Sequence, residues 1–258
     1  MEFDRQIVIK AEKLNIGYEK KVVLHDLDFE VYKGEIFFIM GDSGCGKSTL
    51  LKHLTGLYCP LSGDIRLYGQ SIVNADNAQR KALMRKFGVT YQGGALFGSM
   101  TLGENVAFPL REFTELSEEE MQKTVSEKLQ LVGLAGFENY YPAEISGGMK
   151  KRAGLARALA LDPELLFFDE PSAGLDPISS AALDRLILEL RDTLGTTVVI
   201  VSHELDSIFS IADRAVLLSK ASGTIAAEGK VEELLHHSPD AWVRKFLSRD
   251  GQLRQKEN

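Results

Sequence analysis

The stretch Gly41-Asp42-Ser43-Gly44-Cys45-Gly46-Lys47-Ser48 decides the interpretation of this sequence, because it satisfies the pattern G-x-x-x-x-G-K-[ST] at every fixed position. Residues 35–40 before it form an apolar run that predicts a buried strand, and residues 49–54 after it have apolar side chains at helical spacing. Between a strand and a helix, such glycines let successive backbone N–H groups surround phosphate oxygens. The sequence therefore predicts a phosphate-binding loop, and the alternative is a glycine-rich turn before an ordinary helix.

Individual residues of this loop have expected roles. The helix that starts near Gly46 adds its positive N-terminal end, Lys47 should contact β- and γ-phosphates, and the Ser48 hydroxyl should bind Mg²⁺. The helix start and Lys47 also predict a lowered pKa for the Cys45 thiol, and hence a reactive thiolate that bound ATP would shield. An inert buried thiol is the alternative at this position.

Composition excludes several classes of protein. The 258 residues are 44% hydrophobic, which is enough for one large domain with a sizeable core. The formal net charge of −7 argues against nucleic acid as the main partner. No apolar run approaches the roughly 18 residues that a membrane-spanning helix needs, and the N-terminus does not resemble a secretion signal. Cys45 and Cys59 form no metal-ligand pattern, so we expect a cytosolic protein without disulfides.

The first part of the chain predicts β structure. Residues 7–16 and 22–31 have strand character, and the second run alternates buried-type Leu27, Phe29 and Val31 with polar residues. Gly17-Tyr18-Glu19-Lys20 is the expected turn between them. These patterns predict an antiparallel β region that precedes and follows the phosphate loop.

The middle and the end of the chain predict an α/β body interrupted by helices. Residues 98–160 are mostly helical in pattern, with a capping box at Ser117, and are expected to form an inserted helical subdomain. A short strand over 165–168, a helix that opens at Asp176-Pro177 and ends at Gly195, a strand over 197–201 and a hairpin around Gly223 follow. We therefore predict one α/β domain over residues 5–247 and a polar tail over 248–258.

Two acids follow the strand at 165–168. Asp169 is expected to hold Mg²⁺, largely through its water shell, and Glu170 to act as general base on the attacking water. Taken alone, the pattern would equally describe a strand that ends in a solvated acidic turn.

The segment Ile145-Ser146-Gly147-Gly148-Met149 resembles the L-S-G-G-Q signature of the ATP-binding cassette family, with Ile145 and Met149 as departures. Ser146 and the two glycines at a helix start form a second candidate anion site. The resemblance implies a head-to-tail homodimer in which each of two ATP molecules lies between one phosphate loop and the opposing signature. It also implies a P-loop NTPase (RecA-like) core sheet with an antiparallel β subdomain and an inserted α-helical subdomain.

Four further residues match family motifs in order. Tyr18 resembles the aromatic residue that stacks on adenine, Gln92 the glutamine that contacts Mg²⁺ and the attacking water, and His203 the histidine at the γ-phosphate. Asp176 ends a segment, Ser172 to Asp176, that resembles the loop crossing the dimer interface. A strand-end surface tyrosine and a structural histidine are the alternatives for Tyr18 and His203. The implied catalytic residues are Glu170, His203, Lys47 and Gln92; the implied nucleotide contacts are Tyr18, Gly41, Asp42, Ser43, Gly44, Cys45, Gly46, Lys47, Ser48, Thr49, Ser146, Gly147, Gly148 and Asp176; the implied Mg²⁺ contacts are Ser48, Gln92 and Asp169.

Three stretches narrow the resemblance to the Mla/Mce-type lipid-transport cassettes: residues 92–97, 104–112 and 146–149 with the basic helix after them. This resemblance implies an ATPase that drives phospholipid transport through a separate integral membrane permease, to which it binds on the cytoplasmic side of the inner membrane. A small accessory subunit and an Mce-domain lipid-binding protein are the further implied partners, and nucleic acid is not one. No residue of this chain is identified as lipid-binding.

Other classes share the nucleotide motifs. A DNA-repair or chromosome-structure ATPase would carry a long coiled coil between the two halves, where this sequence has only a compact helical segment. A translation-type cassette protein would carry two cassettes in one chain, and this sequence has one. Among transporters, import of a small polar solute or extraction of lipoproteins is a second possible function.

Overall fold

The computed structural model describes residues 6–19 and 21–248. Its strands and helices follow in chain order: β1 (Ile7–Tyr18), β2 (Lys21–Tyr32), β3 (Ile36–Gly41), α1 (Lys47–Leu54), β4 (Ser62–Leu67), β5 (Gln70–Ser71), α2 (Asn77–Met84), β6 (Phe87–Thr90), α3 (Leu102–Phe113), α4 (Glu118–Leu131), a 3₁₀ helix (Pro142–Glu144), α5 (Gly147–Ala158), β7 (Leu165–Asp169), α6 (Pro177–Leu194), β8 (Thr197–Val201), α7 (Leu205–Ile211), β9 (Arg214–Ser219), β10 (Thr224–Gly229), α8 (Val231–His237) and α9 (Ala241–Leu247).

The chain divides into two compact units. The first takes the described residues up to Ala75 and from Val199 onward, and the second is Asp76–Val198. The predicted 5–247 domain and the 98–160 limits of the helical subdomain stay predictions, and the tail from residue 249 lies outside the described residues. Over the described residues, no helix has both the length and the apolar character that crossing a membrane requires.

The antiparallel β region predicted for the start of the chain is confirmed within the first unit. Its strand order is β2-β1-β4-β5. Leu27, Phe29 and Val31 are buried on one side of β2, as their alternation predicts. The predicted turn at residues 17–20 is wrong in its first half, because Gly17 and Tyr18 still pair with β2 at the end of β1. The position of Lys20 lies outside the described residues.

A second set of strands in the first unit carries the phosphate loop. β3 pairs in parallel with β9, and β10 continues this sheet as the antiparallel hairpin partner of β9. Every residue of β3 is buried, which explains why its sequence is apolar without alternation. Ser202, just after β8, donates its backbone N–H to the carbonyl of Ile39. The carboxyl ends of β3 and β8 therefore meet at one edge of the sheet.

The second unit contains the predicted helices and the acidic strand. β6 pairs in parallel with β7, whose five residues are all buried. Ser117 forms the predicted capping box of α4, and Met121, Val125 and Leu129 bury one face of that helix. Asp176 caps α6, and Gly195 ends it in the left-handed conformation. These helix limits agree with the sequence patterns because caps are determined by neighbouring residues.

Candidate nucleotide-binding site

The phosphate loop joins β3 to α1 through three glycines with positive φ. These angles are 144° at Gly41, 74° at Gly44 and 109° at Gly46. A Cβ atom at Gly41 would also collide with the carbonyl oxygen of Leu218 on β9, so a larger residue would displace the loop from the sheet. None of the described side chains caps the N-terminus of α1, and its first turn carries no acid. The loop thus leaves helix N–H groups available for an anion.

Lys47 supplies the positive charge of this loop. The residue is only 8% exposed, and its Nζ donates to the carbonyl oxygens of Gly41, at 2.9 Å, and Asp42, at 3.2 Å. The ammonium group therefore lies over the loop backbone rather than in bulk water. Ser43 and Gly44 form the exposed tip of the loop, and Ser48 and Thr49 follow in the first turn of α1.

Tyr18 lies beside the same helix. Its hydroxyl is 2.9 Å from the Thr49 hydroxyl, and the residue is 44% exposed. Tyr58 packs edge-on against this ring, with the centroids 5.6 Å apart and the planes at 78°. His53, buried in α1, contacts Tyr58 in turn, and burial lowers the pKa of its imidazole. The sequence motifs do not identify Tyr58, which is marked only as an aromatic residue shortly after α1.

The structure contradicts the predicted reactivity of Cys45. Its side chain is only 3% exposed. Burial raises the pKa of the thiol, and the nearby charge of Lys47 only partly opposes this. The sequence prediction of a lowered pKa is therefore wrong, because it weighed the helix end and the lysine but not the loss of solvent. Cys45 instead fits the alternative interpretation, that of a buried thiol.

We expect N-ethylmaleimide to modify the exposed Cys59 well before Cys45 at neutral pH, because Cys45 is buried and largely a thiol. Labelling of Cys45 should accelerate only as the pH rises, since a thiol with a raised pKa forms its thiolate at higher pH. Peptide mapping by mass spectrometry over a time course measures both sites in one sample, so Cys59 is the internal control. Labelling of Cys45 as fast as Cys59 at pH 7 would instead support a lowered pKa and a reactive thiolate.

His203 follows β8 in the first unit. Its side chain is 54% exposed, with Nε2 3.9 Å from a carboxylate oxygen of Glu204. Ser202 before it is buried and ties the end of β8 to Ile39, so His203 leaves the same strand edge as the phosphate loop. The first unit therefore places the phosphate loop and His203 at the same edge of the sheet that holds β3 and β8, while Tyr18, at the end of β1 in the other sheet, contacts Thr49 of α1.

In the second unit, β7 carries the two predicted acids. Asp169 is the last residue of the strand and is only 8% exposed, whereas Glu170 is partly exposed. The backbone of Glu170 has φ of 49°, in the left-handed region that is uncommon for residues other than glycine. The chain therefore turns sharply at Glu170, and the two carboxylates leave the strand in different environments.

The signature segment opens α5 in the same unit. Ser146 is the N-cap and accepts a hydrogen bond from the backbone N–H of Met149 at 3.3 Å. Ser146 and Gly147 are exposed, and a Cβ atom at Gly147 would meet no described heavy atom within 4 Å. The first turn of this helix carries no acid. The start of α5 is thus an open, positively polarised surface that suits an anion.

Asp176 has a defined local role. Its carboxylate accepts backbone N–H groups of Ile178 and Ser179, each at 3.0 Å, at the start of α6. Hydrogen bonds from Ser179 lower the pKa of this carboxyl group. Asp176 is therefore an ionised helix cap, and its predicted contact with a nucleotide stays a prediction.

Gln92 follows β6 on an exposed segment of unusual backbone. Gly93, Gly94 and Ala95 have φ of 80°, 83° and 47°. The guanidinium group of Arg157, on α5, donates to the carbonyls of Gly94 at 3.1 Å and Ala95 at 2.9 Å. The segment that starts at Gln92 is therefore fixed to the helix that starts at the signature.

Asn105, buried on α3, fixes the continuation of this segment. Its side-chain amide donates to the carbonyls of Phe97 and Thr101, and its oxygen accepts the backbone N–H of Phe97 at 2.9 Å. We expect Asn105→Ala to lower the free energy of unfolding by about 2–3 kcal/mol, because buried backbone groups lose their partners. Urea unfolding measures this, with exposed Asn77→Ala as the control. Equal stability of the two variants would contradict the assigned role.

The described residues contain no cluster of three or more His, Cys, Asp or Glu side chains that could hold a metal ion. The predicted Mg²⁺ contacts involve a single carboxylate, that of Asp169, so they do not form a cluster of this kind.

Of the residues predicted for the site, the second unit holds Gln92, Ser146, Gly147, Gly148, Asp169, Glu170 and Asp176.

Comparisons with known proteins agree with these motifs. A family model described as ABC transporter matches residues 24–173. The chain is 42% identical to the intermembrane phospholipid transport system ATP-binding protein MlaF of Haemophilus influenzae, over 96% of this chain and 94% of that protein. It is 40% identical to the probable ribonucleotide transport ATP-binding protein mkl of Mycobacterium leprae, over 94% of this chain and 69% of that protein.

Solved structures are similar in fold. The ATP-binding cassette MJ0796, in a dimeric post-hydrolysis state bound to ADP and Pi, matches with a TM-score of 0.79 at 29% identity, over 86% of this chain and 98% of its own. The structure of cbiO1 from Clostridium perfringens, part of the ABC transporter complex cbiONQ, matches with a TM-score of 0.80 at 28% identity. The match covers 97% of this chain and 99% of cbiO1. The predicted α/β cassette fold is therefore confirmed.

Proposed function

The chain belongs to the ABC transporter family and is an ATPase, and from this premise we propose that it powers phospholipid transport between membranes through a separate permease. The observation that carries the proposal is the 42% identity to MlaF, which extends over 94% of the length of that protein. The similarity therefore includes the whole cassette and is not confined to the nucleotide motifs that all such ATPases share.

We assign the phosphates of ATP to the backbone N–H groups between Gly41 and Ser48, with Lys47 at the β- and γ-phosphates and Tyr18 against adenine. The support is the uncapped start of α1, the ammonium group held over the loop, and the exposed Tyr18 ring beside Thr49. Gly44 at the exposed tip leaves the backbone accessible to a ligand. His203 leaves the neighbouring strand and is assigned to the γ-phosphate.

Hydrolysis then needs a base and a metal ion. We assign Glu170 as the general base that takes a proton from the attacking water. The oxygen of this water bonds to the γ-phosphorus as the bond to ADP breaks, which releases ADP and phosphate. Ser48, Asp169 and Gln92 are the residues that would hold Mg²⁺. When bound, the metal neutralises charge on the phosphate oxygens. The donor set fits Mg²⁺, because this ion prefers oxygen ligands and keeps several of its waters.

The signature belongs to a second copy in this proposal. Ser146, Gly147 and Gly148 of one chain would bind the γ-phosphate held by the phosphate loop of its partner, which gives a homodimer with two sandwiched ATP molecules. The support is the open, positively polarised start of α5 and the dimeric form in which MJ0796 was solved. Asp176 and the segment before it are assigned to the dimer interface.

The remaining partners are proposed from the MlaF similarity. The homodimer would bind an integral membrane permease at the cytoplasmic face of the inner membrane, with a small accessory subunit and an Mce-domain protein in the same system. The name of the mkl relative favours one second candidate, transport of ribonucleotides. Import of a different small polar solute and extraction of lipoproteins are weaker candidates, because neither of these two relatives is named for them.

A transport assay separates these candidates. The tagged chain is purified from its native membranes with its bound partners and reconstituted into liposomes that contain a fluorescent phospholipid. We expect ATP-dependent transfer of this lipid to acceptor liposomes, and no transfer with ADP. Movement of a radiolabelled ribonucleotide without lipid transfer would favour the second candidate, and isolation with ribosomes or DNA instead of a membrane protein would reject both.

A further inference from the structure

Lys151 of α5 reaches the segment that follows Glu170. Its Nζ donates to the carbonyl oxygen of Pro171 at 2.7 Å and also to that of Ala173. The two bonds span a stretch of backbone that begins at the residue next to Glu170. The Lys151 side chain therefore links α5, the helix that begins at the signature, to the backbone after Glu170.

The surroundings of Lys151 are largely apolar. The residue is partly buried, and it lines a small cavity together with Tyr91, Leu155, Phe168 and Leu183. Burial lowers the pKa of the amine, and the negative charge of Glu170 opposes this shift. The ammonium group is therefore close enough to Glu170 for the two charges to interact.

The backbone that Lys151 holds is in an uncommon conformation. Glu170 has φ of 49°, and Ala173 donates its N–H to the Glu170 carbonyl at 3.3 Å, which closes a tight turn. An L-residue in the left-handed region persists only where its surroundings hold it there. Pro171 and Ala173, whose carbonyls Lys151 holds, are the second and fourth residues of this turn, so the ammonium group is one of the contacts that maintain it.

Lys151 is also coupled to the signature by its place on α5. Ser146 caps this helix, and a Cβ atom at Gly148 would lie 3.6 Å from the Leu175 side chain, which belongs to the same segment as Ala173. The segment after Glu170 therefore runs alongside the first turns of α5. A shift of the helix start would move the ammonium group and the two carbonyls that it holds.

We infer that Lys151 is a positioning residue that fixes the orientation of Glu170 and links it to the signature helix. The inference rests on the proposed role of Glu170 as general base. Lys151 does not itself contact the reacting atoms in this account. Its contribution should therefore appear in the rate of hydrolysis and not in the affinity for ATP.

Lys151→Met tests this by removing the donors while keeping the length of the side chain. We expect kcat to fall by about 10- to 100-fold, because displacing a catalytic group by about 1 Å has effects of that size. The KM for ATP should stay within about twofold. Lys150→Met, which removes the same charge from the adjacent position on α5, should leave kcat unchanged, and Lys151→Arg should restore most of the activity.

A double variant distinguishes positioning from a general loss of structure. If Lys151 acts through Glu170, Lys151→Met should have little further effect on kcat in a Glu170→Gln background. Wild-type kcat for Lys151→Met would overturn the inference, and so would an unchanged fold reduction in the Glu170→Gln background. Normal hydrolysis by Glu170→Gln alone would instead reject the proposed base. If Lys151→Met does not fold, Lys151→Gln is measured against the same criteria.

Discussion

Lys47→Ala should reduce ATP hydrolysis to near background. The lysine is the one loop residue assigned to both the β- and γ-phosphates, and its charge is largely shielded from water. Loss of a preorganised group that stabilises transition-state charge costs on the order of 100- to 1,000-fold in kcat. Because Lys47 also contacts the bound phosphates in this account, the affinity for ATP should weaken as well.

Phosphate release at saturating Mg-ATP measures the effect on kcat, and fluorescent-nucleotide titration measures the affinity. Lys33→Ala is the matched control, since it removes an exposed lysine of the same unit. It should behave as wild type. Hydrolysis by Lys47→Ala within twofold of the Lys33→Ala variant would reject the phosphate-loop assignment.

Glu170→Gln should separate ATP binding from its hydrolysis. Glutamine keeps the size of the side chain and removes the base, and loss of a positioned general base costs about 10²–10⁴-fold in rate. The affinity for ATP should survive, because the phosphate loop, Lys47 and Tyr18 are unchanged. Loss of one negative charge near the γ-phosphate should also favour the closed, ATP-bound dimer.

Glu164→Gln is the control for this substitution, because Glu164 is exposed just before the other end of β7. It should hydrolyse ATP at the wild-type rate. Single-turnover hydrolysis of radiolabelled ATP measures both variants. A Glu170→Gln protein that turns over ATP normally would overturn the assignment of Glu170 and require another base.

The phosphate loop could be predicted because its information is local. Three glycines with positive φ and a lysine at fixed spacing identify the conformation of Gly41 to Ser48 within eight consecutive residues. The cap of α6 at Asp176 and the buried strand β7, which ends at Asp169, could be predicted for the same reason. A helix cap and an apolar strand can each be recognised from a few consecutive residues.

The features that the sequence did not predict depend on distant packing. The pKa of Cys45 is raised because the fold buries it, and no pattern within the loop records that burial. Tyr58 matters because it packs on Tyr18, forty positions earlier in the chain. Lys151 appeared only as part of a basic helix, and its contacts with Pro171 and Ala173 depend on how α5 meets the end of β7.

The closed dimer tests the central claim most directly, namely that two copies of the chain complete each other's ATP sites. Cysteines introduced at Ser43 and Gly147, both exposed, place one thiol at the loop tip and one at the start of α5. The background is Glu170→Gln with Cys59→Ser, in the complex with the permease, and a short bis-maleimide is the crosslinker. We predict a crosslinked dimer that forms with Mg-ATP, is weak with ADP, and is absent when either introduced cysteine is omitted. Absence of this product with Mg-ATP in the intact complex would contradict the composite site.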